Sequence, residues 1–147
     1  MKDKTHGTDQ VVINLDIEPT PQLRPRATSR GGFVHVYDPP KVKAYKLAVK
    51  RLVERTKAGQ HDPLTGALEV KVTFYRTVQR SLSKAETDRR LTNKVKPTTK
   101  PDVDNYIKAL LDALNGVLWK DDAQIVKLEA QKRYAKKGHI EIIINKL

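Results

Sequence analysis

An α+β fold, a single compact domain around one mixed sheet in the order β-β-α-β-α-β-β, follows from three features of the sequence. Apolar residues alternate with polar ones around residues 13–17, 68–74 and 126–130, the period of a half-buried strand. They recur instead at helical spacing over residues 42–53 and 103–114. No segment repeats another, and 147 residues is an ordinary size for one domain with its own core.

Composition narrows the function classes. The chain is 38% hydrophobic and 31% charged, as expected of a globular protein with an ionic surface. Its longest purely aliphatic run near the C-terminus, residues 142–144, is far too short to span a bilayer, and residues 1–10 lack the apolar stretch of a signal peptide. A cytoplasmic protein with no membrane role is therefore expected. Cysteine is absent, which excludes disulfides and thiolate metal sites and leaves carboxylates and four histidines as side-chain ligands. A formal net charge of +12 makes a polyanion the natural partner, because each neutralised phosphate releases condensed counterions.

Residues 1–10 are polar and are expected to be disordered; the domain proper is residues 11–147. Ile13, Leu15 and Ile17 mark the first strand. Residues 19–32 hold three prolines, the pair Gly31-Gly32 and the cations Arg24, Arg26 and Arg30 without an acid, so they predict an exposed basic loop. A short second strand over residues 33–37 leads to Asp38-Pro39, which has the form of a helix N-cap with proline in the first turn. Val42, Tyr45, Val49, Leu52 and Val53 then line one side of a helix ending near Gly59. After a turn at residues 61–66, Leu68, Val70, Val72 and Phe74 define the third strand.

Hydrophobicity falls across residues 77–100, read here as a mobile basic arm, with Ser83 and Glu86 spaced to cap a short helix over residues 84–91. Counting from Arg76, this stretch carries Arg80, Lys84, Arg89, Arg90, Lys94, Lys96 and Lys100 against Glu86 and Asp88. Tyr106, Ile107, Leu110, Leu111 and Leu114 then form the apolar side of a second helix that Asn115-Gly116 stops. Two closing strands, around residues 126–130 and 140–144, flank Lys136-Lys137-Gly138 and predict a terminal hairpin.

The acidic residues cluster where the basic arm ends. Asp102 and Asp104 open the second helix, and Asp104, Lys108 and Asp112 follow at four-residue steps on its polar side. Asp121 and Asp122 lie beyond its end. Each has an ordinary use taken singly: Asp102 as a cap, Asp104 in a salt bridge with Lys108, Asp121-Asp122 as turn residues. Together, carboxylates that repel one another in a basic protein suit a divalent cation bridging protein and phosphate. Trp119, among Val117 and Leu118, reads as a core anchor.

The run Lys-Pro-Asp-Val-Asp-Asn-Tyr-Ile-Lys over residues 100–108, continued by Leu-Leu-Asp-Ala-Leu-Asn-Gly and by Val-Leu-Trp-Lys-Asp-Asp-Ala-Gln-Ile-Val over residues 117–126, resembles the signature of the RusA endodeoxyribonucleases, often prophage-encoded. The match is dense over this stretch and thinner elsewhere; the 19–32 segment and the long 77–100 arm depart from the family pattern. The resemblance implies a RusA-like fold and a homodimeric Holliday junction resolvase of DNA recombination and repair. Such an enzyme cuts four-way junction DNA symmetrically with Mg2+, or Mn2+ in its place, and no small-molecule cofactor. It implies Asp102, Asp104 and Asp122 as the metal-binding catalytic carboxylates, Asp121 as a companion metal ligand and Lys108 as a lysine needed for activity. From the charge pattern, Arg24, Arg26, Arg30, Lys96 and Lys100 are the expected DNA contacts. The rival readings are an inactive DNA- or RNA-binding module, an enzyme of other Asp-x-Asp chemistry, and a nuclease of flaps or forks.

Overall fold

The computed structural model describes residues 10–147; residues 1–9, most of the expected disordered terminus, lie outside it, and Gln10 already belongs to the first strand. In chain order the elements are β1 (Gln10–Leu15), β2 (Arg26–Arg30), β3 (Phe33–Tyr37), α1 (Pro40–Glu54), β4 (Leu68–Thr77), α2 (Lys84–Leu91), α3 (Val103–Leu114), β5 (Ile125–Ala135) and β6 (His139–Lys146), with short 3-10 turns at Ala58–Gln60 and Asp122–Gln124. No described helix is long and apolar enough to cross a membrane.

The α+β class holds, on a main sheet of order β1-β6-β4-β5. β6 runs antiparallel to β1 and β4, whereas β4 and β5 are parallel, so the chain between them crosses over through α2 and α3. Ile140, Ile142 and Ile144 on β6 are fully buried, as are Val70 and Phe74 on β4. Against them pack Tyr45, Val49 and Val53 of α1 and Tyr106, Leu110 and Leu114 of α3, with Tyr106 stacked on Phe74 at 5.1 Å between ring centroids. Trp119 closes the core, fully buried, its indole N–H donating to Asn115 Oδ1 at 2.8 Å. Its expected place as a core anchor is observed.

Three local expectations are corrected. The two closing strands are not a hairpin: β4 lies between β5 and β6. A strand carrying three inward isoleucines gains most from neighbours on both sides, and β4 and β1 supply them, while the polar β5 takes the edge. The segment 19–32 is not all loop, since Arg26–Arg30 pairs with Phe33–Tyr37 as a separate two-stranded ribbon. Gly31 and Gly32 turn it with φ of +57° and +82°, the left-handed pair that a two-residue hairpin turn requires. Every ribbon residue is exposed, so no buried alternation marked β2 as a strand. Asp38 does not cap α1; Pro39 holds that position with Pro40 behind it, and the Asp38 carboxylate is drawn to Gln22 and Lys46 instead. By contrast, Ser83 accepts the Glu86 N–H at 3.2 Å and caps α2 as its spacing predicts.

Candidate active site

α3 begins just after a bend at residues 99–101, and its amphipathic pattern buries Tyr106, Ala109 and Leu110 while leaving Asp104, Lys108 and Asp112 in solvent. Asp102 is the N-cap residue, with extended φ and ψ of −71° and 147°, and its carbonyl accepts the Tyr106 N–H at 3.2 Å. Its carboxylate makes no cap hydrogen bond. Neither Asp102 nor Asp104 forms an ion pair or side-chain hydrogen bond with another described residue, so the Asp104–Lys108 bridge is not made. Two exposed carboxylates therefore stand at the positive end of a helix dipole with their oxygens available.

The approach to Asp102 is held by strand residues. Lys132 on β5 donates from Nζ to the carbonyls of Thr99 at 3.0 Å and Pro101 at 2.9 Å, and Arg76 on β4 donates to Thr99 Oγ1 at 3.3 Å. Partial burial pushes the Lys132 ammonium below its ordinary 10.5, the Arg76 charge adds to this, and Asp102 opposes it. Sequence reasoning missed Lys132, because a lysine in an alternating strand has no local mark distinguishing it from a solvated charge.

From the other side, the Gln22 N–H donates to the Asn105 carbonyl at 2.9 Å, fixing the proline-rich segment against the first turn of α3. The groove so formed, about 340 Å³, is lined by Pro21, Gln22, Leu23, Arg24, Lys100, Pro101, Asp102 and Asn105. The structure thus brings Arg24 and Lys100 to Asp102. The buried Gln22 also donates from Nε2 to Asp38 Oδ1 at 2.9 Å, and Lys46 links Asp38 at 2.8 Å with Asp112 at 3.2 Å. The Lys46 hydrogen bond leads in holding the Asp38 carboxyl below its ordinary 3.8; burial opposes it, and the Gln22 bond and the Lys46 and Lys108 charges assist.

Arg26 and Arg30 lie farther out on the ribbon that leaves this groove. Arg26 pairs across from Tyr37, Thr28 from His35 and Arg30 from Phe33, so one face is cationic and aromatic. Ala27, Ser29, Val34 and Val36 form the other face. Lys96 sits on the chain after α2, its Nζ donating to the Asn93 carbonyl at 3.0 Å. Within the 77–100 arm, Arg90 packs over the Tyr134 ring and donates to its hydroxyl at 3.1 Å.

Asp121 and Asp122 belong to the opposite end of α3. Gly116, at φ +82°, turns the chain so that Trp119 returns beside Asn115, and Leu64 pairs with Trp119 in a bridge. Asp121 caps the 3-10 turn, its Oδ2 accepting the Ala123 N–H at 3.1 Å. Gln124 answers with Oε1 toward the N–H groups of Lys120 and Asp121, while its Nε2 donates to the carbonyls of Leu64 and Gly66. The Asp-x-x-Gln spacing was readable as a capping box; its long-range half was not. Asp122 makes no side-chain bond with a described residue. Among the described residues no group of three or more acidic or imidazole side chains is arranged to hold a metal ion, so the expected meeting of three carboxylates is not found in one chain. Asp102 and Asp104, hard oxygen donors at one helix end, fit the one or two carboxylates by which magnesium is held beside a phosphate.

A family model described as Endodeoxyribonuclease RusA matches residues 16–145. The chain is also similar to the uncharacterized protein YqaN of Bacillus subtilis strain 168, 39% identical over 135 residues that cover 88% of this chain and 92% of the relative.

Proposed function

The chain belongs to the RusA endodeoxyribonuclease family, and we propose that it is a magnesium-dependent, homodimeric resolvase of four-way DNA junctions, with manganese able to substitute. Endonuclease action on DNA is the family's activity. The observation that carries the finer reading is the pair of free carboxylates at the start of α3, Asp102, which lines a groove whose other charged lining residues are Arg24 and Lys100, and Asp104 two residues further along the helix. A phosphodiester drawn to those cations arrives beside carboxylates that need a divalent ion to tolerate it.

Asp102 and Asp104 would hold the ion; Asp122 and its companion Asp121, which the family resemblance adds to the metal ligands, stand at the far end of α3 and would reach that ion only from the second chain of the homodimer. A bound magnesium ion supplies charge neutralisation and Lewis acidity toward the phosphodiester. Lys108, one turn along α3 and exposed, stabilises negative charge developing on the phosphoryl oxygens. Lys132 and Arg76 keep the Asp102 backbone in place, the lysine by donating to the Thr99 and Pro101 carbonyls and the arginine by donating to the Thr99 hydroxyl. Asn105, fixed through its carbonyl to Gln22, lines the same groove. Arg24, Arg26, Arg30, Lys96 and Lys100 grip phosphates, and the aromatic residues of the ribbon add stacking that tolerates any sequence. Recognition by backbone and shape gives structure-selective cleavage, suited to recombination and repair in the cytoplasm of a bacterium or its prophage.

The test uses labelled four-way, forked and linear duplexes with magnesium or a chelator. Paired cuts in the four-way junction, none with chelator, and an Asp104→Asn chain that binds the junction without cutting are expected. Cleavage of none of the three would leave a binding module, and preferential cutting of the fork would move the substrate to replication structures.

A further inference from the structure

The ribbon of β2 and β3 is exposed along the whole of both five-residue strands. Its apolar side chains are open to solvent: Phe33, Val34 and Val36 are 72%, 69% and 68% exposed. Two strands alone are marginally stable in water, so the ribbon depends on how its base is held. Gln22 donates from Nε2 to Asp38 Oδ1 at 2.9 Å, which ties the two legs together, and its backbone N–H donates to the Asn105 carbonyl in the first turn of α3. The ribbon therefore leaves the rim of the groove lined by Arg24 and Asp102, and at about 3.3 Å per residue its strands extend roughly 17 Å.

The chemistry changes along its length. Arg26 lies at the base, whereas Arg30 pairs with Phe33 next to the Gly31-Gly32 turn. At either glycine an added Cβ would meet nothing within 4 Å, so the tip is open on all sides. Ala27, Val34 and Val36 make the other face apolar, and no acid occurs between Arg24 and Tyr37. Phosphates suit the arginines of such an element, but a continuous duplex has no place for the phenyl ring. Its bases are stacked on both sides, and parting a step to admit an apolar side chain is costly. A branch differs. Where the arms of a four-way junction spread, the innermost base pair of each arm has already lost a stacking neighbour, and its open π-face accepts an aromatic ring whatever the sequence.

We propose that the ribbon is a wedge for the branch: Phe33 stacks on a base pair left open where the arms meet, while Arg26 and Arg30 hold the phosphates beside it. The inference rests on the junction reading for its substrate, and on the exposure and chemistry of the tip for its role. Branched DNA is then told from linear DNA by unstacking that the branch has already undergone, before any phosphodiester is cut.

Binding is measured in chelator, where nothing is cut, on a four-way junction and on a linear duplex of equal length. Phe33→Ala is expected to weaken junction binding about tenfold and duplex binding less than about twofold. Phe33→Trp restores the junction, and its emission, read above that of the buried Trp119, is quenched by the junction and not by the duplex. Arg30→Ala instead weakens both DNAs together and lowers the salt slope by about one. A junction preference that survives Phe33→Ala, or Phe33→Trp emission that the junction leaves unchanged, overturns the wedge. So does equal weakening on both DNAs, which would make Phe33 a support for the ribbon alone. The two readings fail separately. A chain that shows this preference but cuts no junction in magnesium loses the nuclease reading and keeps the wedge; a natural chain that cuts junctions, with a Phe33→Ala variant of undiminished preference, does the reverse.

Discussion

The two ends of α3 are built on opposite plans. At its start, Asp102 and Asp104 bond to no described neighbour, while strand lysine, strand arginine and buried glutamine position the backbone around them. At its end the turn satisfies itself: Asn115 holds Trp119, Asp121 caps, and Gln124 spends all its hydrogen-bonding capacity on backbone groups. The difference separates a place where charge is left available from a place where a side chain is carried on a rigid corner. Of the two acids at the second end, Asp122 is the one that shares with the first pair the lack of a side-chain bond to a described residue, although it is half-buried where they are exposed.

The largest effect that tests this contrast is at Lys132. Lys132→Met leaves the carbonyls of Thr99 and Pro101 without their donor and frees the approach to Asp102, so turnover is expected to fall about 10- to 100-fold, as when other groups supporting metal ligands are removed. Lys132→Arg, which keeps donors at that place, should restore most of it. Single-turnover cleavage under saturating protein separates the loss from junction binding, which stays near its natural value. If Lys132→Met cuts normally, the Asp102 end is positioned by α3 alone.

Next comes Gln124→Ala, at the self-satisfied end. It removes acceptors from the N–H groups of Lys120 and Asp121 and a donor from the carbonyls of Leu64 and Gly66. Water replaces part of this on an exposed turn, so a stability loss of about 1–2 kcal/mol is expected in denaturant unfolding. Cleavage measured well below the unfolding midpoint should fall less than for Lys132→Met. A larger catalytic than stability effect would show that the corner works as chemistry rather than as a mount.

How much of this was legible follows the range of the forces involved. α3 and its acids could be read because helical periodicity, the preceding proline and the Asn-Gly stop are all local. Ser83 and Glu86 announced α2 for the same reason. The terminal strands misled because Lys136-Lys137-Gly138 has the composition of a hairpin turn, whereas their partners are decided by which strand has most apolar surface to bury. β2 was invisible because a ribbon exposed on both faces carries no burial pattern. Lys132 and the distance between Asp104 and Asp122 depend on how the crossover lays α3 along the sheet, which no window of sequence contains.

The smallest effect concerns the footing of the ribbon beside the first end of α3. Asp38 joins the ribbon to α1 and, through Lys46, to Asp112 of α3, and its carboxyl lies below its ordinary 3.8 in the folded chain. The unfolded chain therefore binds this proton first as pH falls, so the stability from Asp38 is present above about pH 4 and is lost as the pH drops through the lower folded value. Because the pair is partly solvated, the contribution is on the order of 1 kcal/mol or less. Thermal unfolding of the natural chain and of Asp38→Asn should differ most near neutral pH and converge in acid. A gap that persists unchanged below the folded value would mean that Asp38 holds the ribbon by shape rather than by charge, and that this end of α3 owes its arrangement to packing instead of the Lys46 bridge.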